Sequence, residues 1–476
     1  MDSPQKYDLV VIGSGPGGQK AAAQGVQAGR SVAIVERERN VGGACVYRGT
    51  IPSKTLREAA LAISQLRRNA AVLNVEMRED LEVSSLMERL NKVLAAHRDY
   101  MKSNLQSEGI THIHGRARLT GTNRVEVQSL RGEATVLEAD HIVIATGSVP
   151  RRPDNVPVDH EHILDSDSIL SMIYVPGSLT VLGGGVIACE YASIFSQLGT
   201  RVTIVDKAPR PLMFMEPEVT GQFVRNFERH GGTYLGGQTV KSVHWDGFSQ
   251  VVTELESGET LESDKLLSAQ GRIANVRGLG LEEVGIEQTP RGHILVDDNY
   301  QTSVPGIYAV GDVIGPPALA ASSMEQGRRA VCHALDIDPG NPFAIVPIGI
   351  YSVPEMASVG LTEAEAREKF GEVKVGRVRF DEIARGLIAG IEDGLLKLVA
   401  DADGHRLLGV QIVGLGATDL IHVGEMALIN GNGVSVFLEN IMNFPTLGEA
   451  YRVAASRIVN TRPQTCEYQP ACAGAT

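Results

Sequence analysis

The stretch Asp8-Leu-Val-Val-Ile-Gly13-Ser-Gly15-Pro-Gly-Gly18 decides the fold of this chain. Its β-branched run leads into G-x-G-x-x-G, a helical stretch of small residues follows, and a second strand-like run ends in Glu36. This order of strand, glycine turn, helix, strand and acid predicts a dinucleotide-binding unit. Gly13 permits the tight turn, Gly15 lets the backbone approach a pyrophosphate, and Gly18 lets the helix pack on the strand. Glu36 is placed to accept hydrogen bonds from ribose hydroxyls.

The same pattern recurs 170 residues later, from Ser178-Leu-Thr-Val-Leu-Gly183-Gly-Gly185-Val-Ile-Ala188 to a strand that ends in Asp206. One G-x-G-x-x-G is weak evidence, but two complete units in register predict two bound dinucleotides. Because a hydride must pass between two bound rings, a flavin with a nicotinamide nucleotide is the natural pair. The glycines alone do not tell which unit binds the flavin.

Composition excludes several other classes of protein. The 476 residues suggest about three domains. The net charge of −13 argues against a nucleic-acid partner, and the lack of a long apolar run argues against a membrane span. The N-terminus does not resemble a signal peptide, and five scattered cysteines are too few for a disulfide framework, so we expect a cytoplasmic protein.

Three further motifs carry a resemblance to a known family. The segment Gly42-Gly-Ala-Cys45-Val-Tyr-Arg-Gly-Thr50-Ile-Pro-Ser-Lys54 resembles the active-site segment of the pyridine nucleotide–disulfide oxidoreductases. The segments Ala145-Thr-Gly147 and Gly306-Ile-Tyr-Ala-Val-Gly311-Asp312 resemble the second and third flavin motifs of that family. The resemblance covers roughly residues 5 to 460, and it implies that the first unit binds FAD and the second binds NAD(H) or NADP(H).

The resemblance also implies roles for matching residues. Lys54 would lie near flavin N5 and pair with Glu190, and these two would be the catalytic residues. Ala117 would contact the adenine through its backbone, Asp312 would accept from the ribityl chain, and Ala320 would begin a helix near the flavin C2 carbonyl. The full set of implied cofactor-binding residues is Gly13, Gly15, Gly18, Glu36, Gly43, Cys45, Thr50, Lys54, Ala117, Thr146, Gly147, Asp312, Ala320, Gly183, Gly185, Ala188, Asp206, Lys207, Arg210 and Gly271.

Two departures from the family pattern bear on the activity. The family's reductases have C-x4-C before I-P-S-K, whereas this chain has Cys45 followed by Thr50, so no internal disulfide can form. Near the C-terminus the family's histidine is replaced by Phe444, although its glutamate partner, Glu449, remains. Both losses affect dithiol–disulfide exchange and neither affects hydride transfer from nicotinamide to flavin.

An enzyme that keeps only hydride transfer can run it in both directions with two nucleotides. We therefore expect a ping-pong NAD(P)+ transhydrogenase, in which NADPH reduces FAD and NAD+ takes the hydride. The stretches Arg48–Arg57, Tyr191–Phe195 and Glu449–Ala455 are similar to the soluble pyridine nucleotide transhydrogenases within this family. Asp206 favours NAD(H), whereas Lys207 and Arg210 could compensate the charge of a 2′-phosphate, so we expect both nucleotides to be accepted.

Two alternatives remain open from the sequence. The first is an FAD-dependent NAD(P)H reductase of quinones, metals or disulfides that uses Cys45 or the tail thiols Cys466 and Cys472. The second is a non-catalytic nucleotide-binding module, against which the presence of both Lys54 and Glu190 argues. We expect no metal site, because the pairs His112/His114 and His160/His162 have no third ligand at a recognisable spacing.

The predicted fold is α/β, with two Rossmann-like dinucleotide-binding domains and a C-terminal α+β dimerisation domain. The predicted FAD domain comprises residues 1–150 and 273–345, the NAD(P) domain 151–272, the interface domain 346–462 and a flexible tail 463–476. Helical patterns at 54–71 and 84–107 predict an α-hairpin in the FAD domain, and turn-rich stretches at 148–153 and 271–275 predict hinges. By resemblance, the protein would be a homodimer.

Overall fold

A computed structural model of the protein describes residues 3–73, 83–129, 131–341 and 345–460. The tail thiols Cys466 and Cys472, and the predicted flexible tail, lie outside the described residues. Within the described residues, no α-helix combines the length and apolar character needed to cross a membrane.

The described residues form the following strands and α-helices. The strands are β1 Gln5–Ile12, β2 Val32–Glu36, β3 Thr111–His114, β4 Arg116–Gly121, β5 Arg124–Gln128, β6 Ala134–Ile144, β7 Ser148–Pro150, β8 Ile163–Asp165, β9 Ser178–Leu182, β10 Arg201–Asp206, β11 Thr233–Gly236, β12 Val240–Trp245, β13 Val251–Leu255, β14 Thr260–Ser263, β15 Lys265–Ser268, β16 Arg272–Ala274, β17 Ile307–Ala309, β18 Ile348–Ile350, β19 Met356–Gly360, β20 Val373–Arg379, β21 Leu395–Asp401 and β22 Leu407–Val413. The α-helices are α1 Pro16–Gln27, α2 Gly43–Tyr47, α3 Thr50–Leu73, α4 Val83–Ser107, α5 Val186–Leu198, α6 Pro217–Arg229, α7 Leu281–Val284, α8 Ala320–Ala334, α9 Glu363–Phe370, α10 Ala384–Ile388, α11 Ala417–Ile429, α12 Val436–Glu439 and α13 Glu449–Val459.

The chain divides into two compact units. The first comprises Met1–Pro209 and Gly231–Pro342, and the second comprises Arg210–His230 and Phe343–Thr476. Sequence reasoning assigned residues 210–230 to the nucleotide-binding domain, but α6 in that segment groups with the C-terminal unit. Helix α6 packs against β19 and β22 of that unit. Its apolar face, which carries the buried side chains of Phe223 and Phe227, is the physical reason.

The first glycine motif lies in a sheet with strand order β3-β2-β1-β6-β5-β4, in which β17 also pairs with β6. Strand β1 pairs in parallel with β2 and β6, and its last four residues are buried on both faces, since Val10 and Ile12 belong to one apolar cluster and Leu9 and Val11 to another. A strand covered on both faces explains why this run is continuously apolar rather than alternating.

The second glycine motif lies in a parallel sheet with strand order β11-β10-β9-β15-β8. Its β9-turn-α5-β10 path repeats the β1-turn-α1-β2 path of the first sheet, as the offset of 170 residues predicts. The predicted helical pair also exists as α3 and α4, which contact each other. The predicted hinges meet, because β7 and β16 pair in antiparallel fashion with Ser148 opposite Ala274.

The second unit is built on an antiparallel sheet with strand order β18-β19-β22-β21-β20. Helices α11 and α13 pack on it, and its central strand β22 is buried along its whole length. The buried Tyr451 fastens the two helices together, since its hydroxyl donates to the Leu420 carbonyl at 2.7 Å and accepts from the Gly424 amide at 3.2 Å. This α+β unit contains most of the predicted interface domain.

Candidate active site

The three glycines of the first motif meet different surroundings. Gly13 has φ +104°, and a Cβ there would lie 2.4 Å from the Ala145 carbonyl oxygen. A Cβ on Gly18 would lie 1.9 Å from the Gly13 carbonyl oxygen. Close packing within the protein therefore requires glycine at both positions. A Cβ on Gly15 would meet nothing within 4 Å. The space over Gly15 is therefore free for a ligand.

The second motif likewise has a crowded first glycine and an open middle glycine. Gly183 has φ +106°, and a Cβ there would lie 2.6 Å from the Ala269 carbonyl oxygen, whereas a Cβ on Gly185 would meet nothing within 4 Å. Ala188, which replaces the third glycine, is fully buried on α5. Both loops thus leave open space at the middle glycine, directly before the N-terminus of a helix.

The open space at Gly15 and Gly185 gives a testable prediction. We expect Gly15→Ala and Gly185→Ala to fold normally, because neither new methyl group meets protein atoms and both backbones are extended. Each methyl group should nevertheless displace a pyrophosphate from the loop. Gly15→Ala should lose flavin absorbance after purification, and Gly185→Ala should retain it but raise the KM for nicotinamide nucleotides about 10- to 100-fold, as the loss of a charged hydrogen bond would.

The control for these two variants is Gly221→Ala on α6, where a Cβ would lie 3.5 Å from Arg225 Nη1, an ordinary van der Waals contact. It should leave both the flavin content and the KM unchanged. Normal flavin retention by Gly15→Ala, or an unchanged KM in Gly185→Ala, would contradict the assignment of the loops as pyrophosphate sites.

Glu36 is buried at the end of β2 and is firmly held. Its Oε2 accepts from the Ser14 hydroxyl at 2.6 Å and from the Ser14 amide at 3.0 Å, while its Oε1 accepts from the Glu38 amide at 2.9 Å. The Gly115 amide donates to the Glu36 carbonyl at 2.9 Å, which brings the start of β4, and with it the buried Ala117, beside this acid. The structure thus brings the predicted ribose and adenine contacts together.

Lys54 and Glu190 meet, as the sequence predicts. Lys54 Nζ donates to both carboxylate oxygens of Glu190 at 2.8 Å, although the two residues are 136 positions apart. Glu190 is 4% exposed and lies in α5, while Lys54 lies in α3, and the two helices pack against each other. The pair therefore joins the active-site segment to the second dinucleotide-binding sheet.

Cys45 and Thr50 lie side by side, but they form no redox pair. Cys45 is a free cysteine on α2, and Thr50 begins α3. Burial raises the pKa of the Cys45 thiol, and the hydrogen bond with Thr50 and the charge of Lys54 only partly oppose this. A thiol of raised pKa carries little thiolate at neutral pH, so Cys45 is a poor nucleophile.

Asp312 belongs to a network that sequence reasoning missed. The Ser148 hydroxyl donates to Asp312 Oδ2 at 2.6 Å, and Arg272 Nε donates to the Ser148 hydroxyl at 2.8 Å. Arg272 also donates to the Ser166 hydroxyl at 2.9 Å and to Asp167 at 3.3 Å. The side chain of Arg272 thus ties the paired hinge strands to the predicted ribityl-binding acid, and the sequence singled out the hinges only as turns.

The remaining predicted flavin contacts lie close to the first loop. A Cβ on Gly43, which has φ +63°, would lie 2.8 Å from Gly15 Cα, so α2 begins directly against the glycine loop. The Thr146 Oγ1 atom is buried without a hydrogen-bond partner among the described residues. The carbonyls of Thr146 and Gly147 accept from Asn275 at 3.0 and 2.9 Å, and Ala320 begins α8 as predicted.

The remaining residues predicted to bind the nicotinamide nucleotide fall in different units. Asp206 ends β10 and is half-buried, Lys207 is exposed, and Gly271 lies directly before β16 with φ +103°. Arg210 belongs to the second unit, where its guanidinium donates to the Leu212 and Met213 carbonyls at 3.2 and 2.9 Å. The role of Arg210 toward a 2′-phosphate stays a prediction.

Phe444 and Glu449 lie in the second unit. The Phe444 side chain is 71% exposed, and the Glu449 Oε2 atom is buried without a hydrogen-bond partner among the described residues. Neither residue offers a titratable nitrogen for thiol chemistry, which agrees with the loss of the family's histidine.

One cluster of potential metal ligands occurs in the described part of the chain, formed by Glu216, Glu218 and Glu363. A lysine ammonium fills its centre, since Lys397 Nζ lies 2.9, 2.5 and 2.7 Å from these three carboxylates. The cluster is therefore an ion-pair network of the second unit. The histidine pairs named from the sequence do not belong to it.

Two dinucleotide-binding sheets bridged by a lysine–carboxylate pair define an oxidoreductase that works with two nucleotides. Residues 7–327 match the family described as "Pyridine nucleotide-disulphide oxidoreductase", and residues 346–455 match the dimerisation domain of the same family. The chain belongs to this family.

Relatives of similar length carry one name. The protein of Mycobacterium bovis (strain BCG / Pasteur 1173P2) called "Soluble pyridine nucleotide transhydrogenase" is 42% identical over 96% of this chain and 98% of its own length. Proteins of the same name from Marinomonas sp. (strain MWYL1) and Yersinia pestis (strain Pestoides F) are 38% and 37% identical, over 94% and 95% of this chain and 97% and 98% of theirs.

Solved structures share the fold at lower identity. LpdA from Mycobacterium tuberculosis matches with a TM-score of 0.87 at 26% identity, over 95% of this chain and 99% of that one. The Cu(II) complex of the HOCl-induced flavoprotein disulfide reductase RclA from Escherichia coli matches with a TM-score of 0.86, also at 26% identity and over the same shares of the two chains. These similarities confirm the predicted α/β fold class with a C-terminal dimerisation domain.

Proposed function

We propose that this protein is an FAD-dependent NAD(P)+ transhydrogenase that moves a hydride from NADPH to FAD and then to NAD+ at one nucleotide site, reversibly. The observation that carries the proposal is that the ion pair of Lys54 is present whereas the redox-active cysteine pair beside it is not. Its pairing with Glu190 is intact at 2.8 Å, while its neighbours Cys45 and Thr50 offer a single, poorly ionised thiol. The name shared by the relatives agrees with this reading.

FAD would occupy the first sheet, and the residues there fit it. The open space over Gly15 would admit its pyrophosphate, the buried Glu36 carboxylate would accept from the ribose, and the unpartnered Thr146 Oγ1 offers one more polar contact. When bound, FAD supplies the acceptor and donor of a hydride. Lys54 would hold a positive charge beside it, where negative charge develops on reduction.

The nicotinamide nucleotide would occupy the second sheet. Gly185 leaves room for its pyrophosphate at the N-terminus of α5, and Asp206 ends the strand that would face the adenosine ribose. Glu190 lies on α5 itself, so the helix that binds the pyrophosphate also holds the partner of Lys54. One helix thereby couples nucleotide binding to the position of the catalytic lysine.

A reductase that uses thiols is the competing function. Its sequence basis is Cys45 and the tail residues Cys466 and Cys472, the latter two outside the described residues. The raised pKa of the Cys45 thiol weighs against it. The other two described cysteines, Cys189 and Cys332, are buried, and burial raises the pKa of both thiols as well.

A transhydrogenase assay separates the two functions. With NADPH and thio-NAD+ as substrates, we expect turnover that Cys45→Ser and deletion of residues 463–476 change by less than about two-fold, because neither change removes a charge or hydrogen bond needed for hydride transfer. The thionicotinamide absorbance follows the reaction directly. Rapid reduction of a disulfide or quinone that both variants lose, without thio-NADH formation, would support the thiol reductase instead.

We also propose a cytoplasmic homodimer assembled through the second unit. The match to a dimerisation domain supports this, as do the exposed apolar side chains of that unit, which include Met426, Ile429, Ile441 and Phe444 at 53%, 54%, 98% and 71% exposure. Apolar surface of this kind usually marks a protein interface. The partners would otherwise be small nicotinamide nucleotides, with no nucleic acid or membrane.

A further inference from the structure

The two dinucleotide units hold their ribose-facing acids differently. In the first unit, Ser14 of the glycine loop fixes Glu36 through two hydrogen bonds, of 2.6 and 3.0 Å. The corresponding residue of the second loop, 170 positions later, is Gly184, which has no side chain to hold Asp206. The second acid must therefore be positioned by another group.

Tyr234 supplies that group from the neighbouring strand. It lies on β11, opposite Ile204 of β10, and its hydroxyl lies 3.4 Å from Asp206 Oδ2 and 3.2 Å from the Ala208 carbonyl oxygen. A Cβ on Gly184 would lie 2.2 Å from Asp206 Oδ2 and 3.2 Å from the Tyr234 hydroxyl. The tyrosine hydroxyl and the carboxylate thus converge directly over the glycine loop.

We propose that Tyr234 sets nucleotide selectivity by holding the Asp206 carboxylate over the glycine loop, in the position that accepts the adenosine 2′-hydroxyl of NAD(H). The proposal rests on the proposed function of the second sheet. The single tyrosine proton can go to Asp206 or to the Ala208 carbonyl, which is the closer acceptor. The hold on Asp206 is therefore looser than the hold on Glu36, and the carboxylate can turn aside when a 2′-phosphate arrives.

This arrangement explains how one site can serve both nucleotides. A carboxylate fixed as tightly as Glu36 would repel a 2′-phosphate permanently, because two anions in contact are strongly unfavourable. A carboxylate held by the shared proton of Tyr234 favours NAD(H) when it faces the ribose and stops opposing NADP(H) when it turns away. Tyr234 is in this sense a positioning residue that acts through Asp206.

The test is Tyr234→Phe, which keeps the ring and removes the hydroxyl. Rapid-mixing reduction of the holoenzyme by NADH or NADPH gives the apparent Kd and the limiting rate for each nucleotide. We expect the ratio of kcat/KM for NADH over NADPH to fall about three- to ten-fold, the effect of one lost hydrogen bond. The change should lie in Kd, with the limiting rates unaltered.

Two further measurements isolate the mechanism. Calorimetric titration with ADP-ribose and with 2′-phospho-ADP-ribose should show the same change in selectivity without any reaction. In an Asp206→Ala background, Tyr234→Phe should no longer alter the ratio, because the tyrosine acts only through the carboxylate. Tyr7→Phe, which removes a hydroxyl that contacts Gln5 at 3.3 Å, is the matched control and should change nothing.

The proposal is overturned if Tyr234→Phe leaves the selectivity ratio unchanged, or if it shifts the ratio equally with and without Asp206. Failure of the proposed function would be seen separately. In that case NAD+ would not reoxidise the reduced flavin, yet reduction by each nucleotide and binding of the two ADP-ribose ligands would still report selectivity.

Discussion

Replacing Lys54 with methionine is expected to slow flavin reduction by NADPH about 100-fold. Its ammonium group lies 2.8 Å from both oxygens of Glu190, in a partly buried setting where a charge acts more strongly than in water. Loss of one preorganised charge or donor at a reacting centre typically costs about 100- to 1,000-fold in rate. Methionine preserves much of the apolar stem, so the defect reports mainly the charge.

Rapid-mixing spectroscopy should measure this defect as slower bleaching of the flavin. Glu190→Gln should have a smaller effect, of about ten-fold, since it keeps the ammonium and weakens only its orientation. Lys92→Met is the matched control, because Lys92 pairs with Glu88 at 2.6 Å on the surface of α4 and lies outside the site. A folded, flavin-loaded Lys54→Met enzyme that reacts within about three-fold of the native rate would exclude the catalytic role.

The second large effect is expected at Lys397, which should be essential to the stability of the C-terminal unit. Its side chain is fully buried, and its ammonium lies within 2.9 Å of Glu216, Glu218 and Glu363. Arg377 adds a second cation, with its Nη2 atom 2.7 Å from both Glu218 and Glu363. Lys397→Met would leave three neighbouring carboxylates with only Arg377 and the more exposed Arg367 to offset their charge, and the buried Glu216 would lose its bond to the lysine ammonium.

Removing one partner of a buried ion pair typically costs about 3–5 kcal/mol. For a domain of this size we expect the Tm of Lys397→Met to fall by about 10 °C in a thermal scan followed by circular dichroism. Lys369→Met is the control, because Lys369 is exposed on α9 of the same unit, and it should leave the Tm unchanged. A Tm within about 2 °C of the native value in Lys397→Met would contradict the structural role of the cluster.

The pH dependence of the Tm should show that the carboxylates around Lys397 cause this loss of stability. Burial alone would raise the pKa of Glu363, but hydrogen bonds from Lys397 and Arg367 outweigh it and lower the pKa to about 2, from an ordinary 4.5. This stabilisation is complete above pH 4.5 and is lost as the pH falls toward 2. In Lys397→Met the pKa of Glu363 should lie closer to its ordinary value, because only Arg367 and Arg377 still lower it. The Tm difference between native protein and variant should therefore stay nearly constant from pH 7 to about 4.5 and shrink as the pH falls from 4.5 toward 2.

The glycine motifs were predictable because each acts through its own short segment. The turn at Gly13, the packing of Gly18 and the open space over Gly15 all arise within one strand, one turn and one helix. The offset of 170 residues then predicted the second unit in the same register. The link between Lys54 and Glu190 came from resemblance, since no local rule joins residues 136 positions apart.

Other parts of the site could not be predicted in this way. The Asp312–Ser148–Arg272 network joins residues 164 and 124 positions apart, and a serine within a turn gives no sign of the acid it will bind. The grouping of α6 with the C-terminal unit depends on which part of the protein its phenylalanines pack against. The amphipathic pattern of the helix shows only that its apolar face must pack against some partner.

By itself the sequence determined two dinucleotide-binding folds, the acids Glu36 and Asp206 that end their second strands, and the replacement of the family's second cysteine and histidine by Thr50 and Phe444. Only the tertiary structure decided how each acid is held, with Glu36 fixed by its own loop and Asp206 held by Tyr234 from the next strand. The physical reason is the distance along the chain over which each interaction acts. Turns, helix starts and β-branched runs are local properties, whereas hydrogen bonds between strands depend on a register that forms only when the sheet assembles.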